Sequence, residues 1–159
     1  MAERNRNDGA MPRNSNDGAV PTGCTCLRLR KAARRITQIY DRHVEPHGLT
    51  ITQYGLLSHL EAHDGIGVGA LAEKLVMDPT TLTRNLRPLE RAGLLVLGAD
   101  PNDRRSRCLR LTAEGRAVLK AARPAWARAQ RHLEETLGAG DTAALHAALD
   151  RMLQRLGTA

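Results

Sequence analysis

Phenylalanine is absent from this 159-residue chain, and tyrosine and tryptophan together supply only Tyr40, Tyr54 and Trp126. An aromatic core is therefore excluded. Whatever is buried must be built from Leu, Ala, Ile and Val, and the excess of Leu, Ala and Arg favours helix. No apolar run approaches the roughly 20 residues that a bilayer-spanning helix needs, and the N-terminus lacks an apolar signal core. The expectation is a cytoplasmic protein without a membrane partner. Cysteine is scarce and odd in number (Cys24, Cys26, Cys108), which makes no disulfide framework in that compartment. The six histidines, His43, His47, His59, His63, His132 and His146, show none of the compact spacing of a structural zinc site. Neither a metal nor a cofactor is expected. Cys24 and Cys26 would diverge by about 200° on one helix, so chelation by the pair requires residue 24 to lie outside it. A nucleophile elbow, a Gly-rich phosphate loop and a metalloprotease helix are all missing, and the reading is of a protein that is not an enzyme.

What the chain has in abundance is positive charge. Lys and Arg number 24 against 17 acidic residues, a net +7 with pI ≈ 10.1. All but three of the basic residues are arginine. Such a balance points to a polyanionic partner, and arginine suits bidentate contacts to phosphate and guanine.

The charge concentrates in DPTTLTRNLRPLERAGLLVLGADPNDRRSRCLRLT, residues 78–112. Residues 79–112 carry seven arginines against Glu90, Asp100 and Asp103, a net +4 in a fifth of the chain. Asp78 is an N-cap and Pro79 falls at the first helical position, where its missing N–H costs nothing. Leu82, Leu86 and Leu89 mark the inward face. Thr80, Thr81, Thr83, Arg84 and Arg87 lie opposite. Pro88 removes the hydrogen bond to the Arg84 carbonyl and should bend the helix; Gly93 ends it. Leu94–Leu97 and Arg107–Leu111 read as paired strands, joined by the turn GADPNDRRS, which holds Asp103, Arg104 and Arg105. A cationic helix beside a basic hairpin suits a DNA duplex, with the helix in the major groove and the hairpin tip at the backbone or minor groove. Arg107 joins the DNA-facing set.

Around this stretch the pattern is helical. Residues 1–23 are polar, rich in Gly and Pro, and aperiodic, which predicts a disordered tail. A helix follows from Cys24 to about Glu45, with Leu29, Ala33, Ile36 and Tyr40 on one stripe. Thr52–His63 is a second, with Tyr54, Leu57 and Leu60 inward. Val68–Leu75 is a short third, leading through Val76 and Met77 into Asp78. That is a helix-turn-helix. Thr112 caps a long helix, Ala113–Leu137, with Val118, Ala122, Trp126, Ala129 and Leu133 in register and a kink expected at Pro124. Gly138 and Gly140 break the pattern, and Asp141 opens a last helix bearing Leu145, Leu149, Met152, Leu153 and Leu156. That stripe is longer than a small winged domain can cover, which suggests a two-fold helical dimer. The expected organisation is a tail (1–23), a first dimerisation helix (24–50), a winged helix-turn-helix domain (51–112) and C-terminal dimerisation helices (113–157). Two other classes fit the composition: a non-sequence-specific architectural DNA-binding protein, and a dimeric helical adaptor.

The pieces TLTRNLRPLERAGLL and DPNDRRSRCLRLTAEG resemble the MarR family of bacterial winged-helix regulators, over roughly residues 24–157. The resemblance implies a homodimeric repressor on a pseudo-palindromic operator, released by a small-molecule or oxidant effector. Cys26, near a helix start and flanked by Arg28 and Arg30, is placed as a reactive thiol would be, with Cys24 beside it. It precedes Tyr40 by fourteen residues, a spacing similar to that of the organic-hydroperoxide-sensing branch, although the second tyrosine of that branch, expected near Arg30, is missing. The same resemblance implies a ligand pocket near Tyr40, His43 and Tyr54. Cys108, alternating with apolar neighbours, reads as packing.

Overall fold

The computed structural model describes residues 23–99 and 107–157, and the fold follows from a few local decisions. Helix α1, Thr25–Val44, starts at Cys24, whose Sγ accepts from the Leu27 amide at 3.5 Å. A short 3₁₀ turn, Glu45–His47, ends at Gly48 with φ 74°. Helix α2, Ile51–Ala62, opens with a reciprocal capping box between Thr50 and Gln53. Asp41 Oδ1 also accepts from the Ile51 amide at 2.7 Å, tying α1 to α2. Then come β1 (Ile66–Gly67), α3 (Val68–Lys74), α4 (Pro79–Arg91), β2 (Leu95–Ala99), β3 (Arg107–Leu111), α5 (Ala113–Leu137) and α6 (Ala139–Leu156). The strands pair antiparallel in the order β1-β3-β2.

One apolar cluster unites α2, α3, α4, the sheet and the start of α5, with Leu57, Leu60, Leu71, Leu82, Leu89, Leu95, Leu109 and Leu119 almost wholly buried. A smaller cluster of Tyr40, Ala129 and Leu133 joins α1 to the far half of α5. The fold is thus a mainly helical winged helix-turn-helix with helices at both ends of the described chain, as the sequence implied.

Several sequence expectations are corrected in detail. The buried line of α5 is Gly115, Leu119, Ala122, Ala125, Ala129 and Leu133. Trp126 is rotated to its margin and is 37% exposed, because its ring lies flat on Tyr54 at 6.0 Å between centroids. The last helix begins at Ala139 rather than Asp141. Gly138, with φ 89°, makes the break alone, and Thr142 Oγ1 donates back to its carbonyl at 2.9 Å. Helices α4 and α5 both run on through their internal prolines. Strand β1, only two residues long, is too short for its alternation to be read. The wing strand β2 extends from Leu95 to Ala99, one residue later than expected at its start.

Candidate nucleic-acid interface

Helix α4 is built to present one face. Asp78 Oδ1 accepts from the Thr81 amide at 3.0 Å, and Pro79 occupies the first turn. Leu82, Leu86 and Leu89 are buried, so Thr80, Thr81, Thr83, Arg84 and Arg87 are all exposed on the opposite side. At 100° per residue, Thr80, Arg84, Arg87 and Arg91 fall within about 60° of arc. Pro79, Thr80, Thr83, Arg84 and Arg87 line a shallow concavity of about 360 Å³. The Thr83 hydroxyl donates to the Pro79 carbonyl at 2.8 Å; with that proton committed to its own helix, its oxygen is left to act outward as an acceptor. Pro88 has no amide for the Arg84 carbonyl, yet the helix closes normally, with Ala92 N–H donating to the Pro88 carbonyl at 3.0 Å.

The turn before α4 falls where the sequence placed it, but its backbone strain was not anticipated. Val76 sits at φ 51° and is 67% exposed, a left-handed conformation that a β-branched residue adopts only under constraint. The constraint is a pair of backbone bonds, Val76 N–H to the Glu73 carbonyl at 3.0 Å and Met77 N–H to the Ala72 carbonyl at 2.8 Å. These set the angle between α3 and α4.

The other end of α4 is latched to α5. Gly93, at φ 71°, ends the helix, and its carbonyl accepts from Thr112 Oγ1 at 2.7 Å. Thr112 Oγ1 in turn accepts from the Gly115 amide at 2.9 Å as the N-cap of α5. A Cβ at Gly115 would stand 1.9 Å from the Leu94 carbonyl oxygen. The LTAEG stretch is therefore a close backbone contact that locks α5 to the end of α4.

In the wing, β2 and β3 pair from Leu95↔Leu111 to Ala99↔Arg107. Arg107 is exposed, and its Nη2 donates to the Leu97 carbonyl at 3.2 Å. Arg110 forms an ion pair with Asp64 at 3.2 Å, fixing the wing base to the loop after α2. Cys108 is wholly buried, its Sγ directed at the Ala99 carbonyl, as packing requires. Asp103, Arg104 and Arg105 lie outside the described residues.

The residues considered for signal reception are spread along α1 and α2. Cys26 is exposed in the first turn of α1, and Cys24 is half-buried. Tyr40 is buried at the other end of that helix, about 21 Å away along its axis. The structure does not bring Cys26 and Tyr40 together within one chain. The Tyr40 hydroxyl donates to Gln130 Oε1, and Gln130 Nε2 donates to Glu134 Oε1 at 2.8 Å. Burial, and secondly the negative charge of Glu134, raises the Tyr40 phenol above its ordinary 10.0. Tyr54 belongs to the main core cluster and Tyr40 to the smaller one. The residues proposed for one pocket are thus divided between two packed clusters. His43 faces His132 of α5 instead. Among the described residues, no group of three or more His, Cys, Asp or Glu could hold a metal ion, and no helix is long and apolar enough to cross a membrane.

A polar, arginine-striped second helix, a tight preceding turn and a β-hairpin wing define a winged helix-turn-helix DNA-binding protein. The MarR family model matches residues 47–106. The chain is 35% identical over 99 residues to the transcriptional regulator HosA of Escherichia coli, spanning 59% of this chain and 73% of that one. It is 33% identical over 95 residues to the organic hydroperoxide resistance transcriptional regulator of Bacillus subtilis, covering 60% of this chain and 64% of that protein. Among solved structures, the transcriptional repressor CouR bound to a 23-mer DNA duplex superposes with a TM-score of 0.74 at 32% identity, over 81% of this chain and 92% of that one. The chain belongs to the MarR family and is a DNA-binding transcriptional regulator.

Proposed function

We propose that the protein is a homodimeric cytoplasmic repressor that binds a pseudo-palindromic operator and is released when an oxidant reacts at Cys26. The observation that carries the DNA reading is the outward stripe of Thr80, Arg84 and Arg87 on a helix whose opposite face is fully buried. Arginine in that position suits bidentate reading of guanine. The dimer is supported by apolar surface left uncovered within the subunit. On α1, Leu29 and Ala33 are exposed; on α6, Leu153 and Leu156 are 53% and 72% exposed. Exposed leucines rimming two terminal helices mark an association surface.

The effector reading rests on accessibility and on likeness to a hydroperoxide regulator. Cys26 is the exposed thiol of the three and Cys108 is buried. A hydroperoxide oxidises the Cys26 thiolate to a sulfenic acid, its O–O bond breaking to leave an alcohol. The sulfenic acid then condenses with a second thiol, either Cys24 or a small cellular thiol, forming S–S and releasing water. The Cys24 sulfur caps α1, so disulfide formation there disturbs the first turn of a helix placed at the subunit boundary. The recognition helices then lose their spacing across successive major grooves.

The test is binding to DNA flanking the protein's own gene, with and without an organic hydroperoxide. Oxidant should abolish binding and reductant restore it. Cys26→Ser should bind but ignore the oxidant, and Cys108→Ser should respond as the parent does. Release of Cys26→Ser by oxidant would sink the thiol reading and favour a non-covalent ligand near Tyr40 and Tyr54. Protection of random DNA as strong as that of the flanking DNA would instead favour an architectural protein.

A further inference from the structure

The threonines on the outward face of α4 differ in what their hydroxyls have left to offer. Thr83 donates its proton to the Pro79 carbonyl, four residues back, at 2.8 Å. Thr136 and Thr142 make the same bond to the His132 and Gly138 carbonyls at 2.7 and 2.9 Å, so this is how a threonine inside these helices spends its proton. Thr80 stands in the first turn, where the residue four back, Val76, lies outside the helix, and its hydroxyl makes no such bond among the described residues. Thr80 keeps a donor and an acceptor, whereas Thr83 keeps only acceptor lone pairs. Position sets Thr83 apart from Thr136 and Thr142. It is exposed, and it lines the concavity of α4 with Pro79, Thr80, Arg84 and Arg87. The two arginines can only donate and Thr80 can do either, which leaves Thr83 as the lining side chain that only accepts. We propose that Thr83 is a specificity residue that accepts from an exocyclic amino group, adenine N6 or cytosine N4, in the major groove.

The assignment rests on α4 being the recognition helix. Thymine and guanine present acceptors in the groove, O4 and O6, where adenine and cytosine present amino donors. Facing a keto oxygen, Thr83 Oγ1 meets a lone pair, and turning its proton outward would break the bond to Pro79. Thr83 therefore favours A or C over G or T on the strand that it faces. Along the helix axis, Arg84 and Arg87 lie about 1.5 and about 6 Å from Thr83, less than two base-pair steps of about 3.4 Å. The amino base should thus stand within two base pairs of a guanine read by arginine.

The test is selection from a randomised duplex library by the parent chain, Thr83→Val and Thr83→Ser. The parent should enrich sites with an amino base at one position of each half-site, near a guanine. Valine keeps the shape and removes the oxygen; Thr83→Val should lose that preference and bind the parent's best site about three- to tenfold more weakly. Thr83→Ser should keep the preference. Placing purine, which lacks the 6-amino group, where the parent accepts adenine should weaken the parent by a similar factor and leave Thr83→Val unaffected. A keto base enriched at the position that Thr83→Val relaxes, or the same sites bound with equal affinity by parent and Thr83→Val, overturns the proposal and leaves the recognition helix standing. A parent that enriches no sequence overturns the recognition-helix reading, and the role of Thr83 with it. A parent indifferent to loss of the 6-amino group also overturns the proposal, and that measurement needs no variant to fold.

Discussion

Arg84 stands in the middle of the exposed face of α4, one turn beyond Thr80 and opposite Leu82 and Leu86. Arg84→Ala should cost about 1–3 kcal/mol on the cognate site and relax preference at one base pair per half-site. Anisotropy titrations against cognate and random duplexes check this; an equal loss on both would make Arg84 a phosphate contact. That Arg84 faces outward was legible from the leucine spacing. That the Thr83 hydroxyl donates its proton to its own helix was not, because a side chain's choice of partner leaves no trace in spacing. Tyr40 carries a prediction of a different kind. Its phenol is held above 10.0, by burial first and by Glu134 second. Below pH 10 it is neutral in both folded and unfolded chains, so its bond to Gln130 contributes in full. Above pH 10 the unfolded chain ionises first, and stability falls as pH climbs through the raised folded value. Tyr40→Phe should lose about 0.5–1.5 kcal/mol near neutrality and flatten that alkaline decline, as urea unfolding on either side of pH 10 will show. A parallel decline in parent and variant would mean that Tyr40 contributes nothing to it.

Among the elements, α5 has two distinct tasks. Its first turn is latched to α4 through Thr112, Gly93 and Gly115, and its far half carries the cluster with Tyr40. Gly115→Ala should destabilise the fold by about 1–3 kcal/mol, as overpacking does, because the new methyl meets a backbone oxygen that cannot rotate away. Thermal melts check the size of the loss, and a melt unchanged from the parent would place that contact elsewhere. The element pattern itself was largely readable. Asp78, Thr112 and Gly93 each mark a boundary by local chemistry, and Leu82, Leu86 and Leu89 mark a face. The errors arose where a neighbour decides. Trp126 was expected in the buried line, but a ring that size packs beside Ala125 rather than beneath it, stacked on Tyr54. Asp141 was expected to open α6, yet Gly138 alone turns the chain and Thr142 bonds back to it.

For the molecule as a whole, the proposed dimer makes a sharp demand on α6. Truncation after Leu137 should leave a monomer or an aggregate with little specific DNA binding, because half-sites roughly 10 bp apart require two linked recognition helices. Sedimentation at micromolar concentration checks both species; a monomeric full-length chain would refute the dimer. The sequence alone determined the winged helix-turn-helix, the exposed polar side of α4, the burial of Cys108 and the apolar surplus on the terminal helices. Each is written in caps, turn residues and periodicity, which act over a few neighbouring residues. Only the tertiary structure decided that Tyr40 meets Gln130, that Arg110 meets Asp64, that His43 faces His132, and that Gly115 must be glycine because of Leu94. Periodicity shows which face of a helix is apolar, but the partner of that face depends on how separate elements pack, and the spacing within one element carries no record of it.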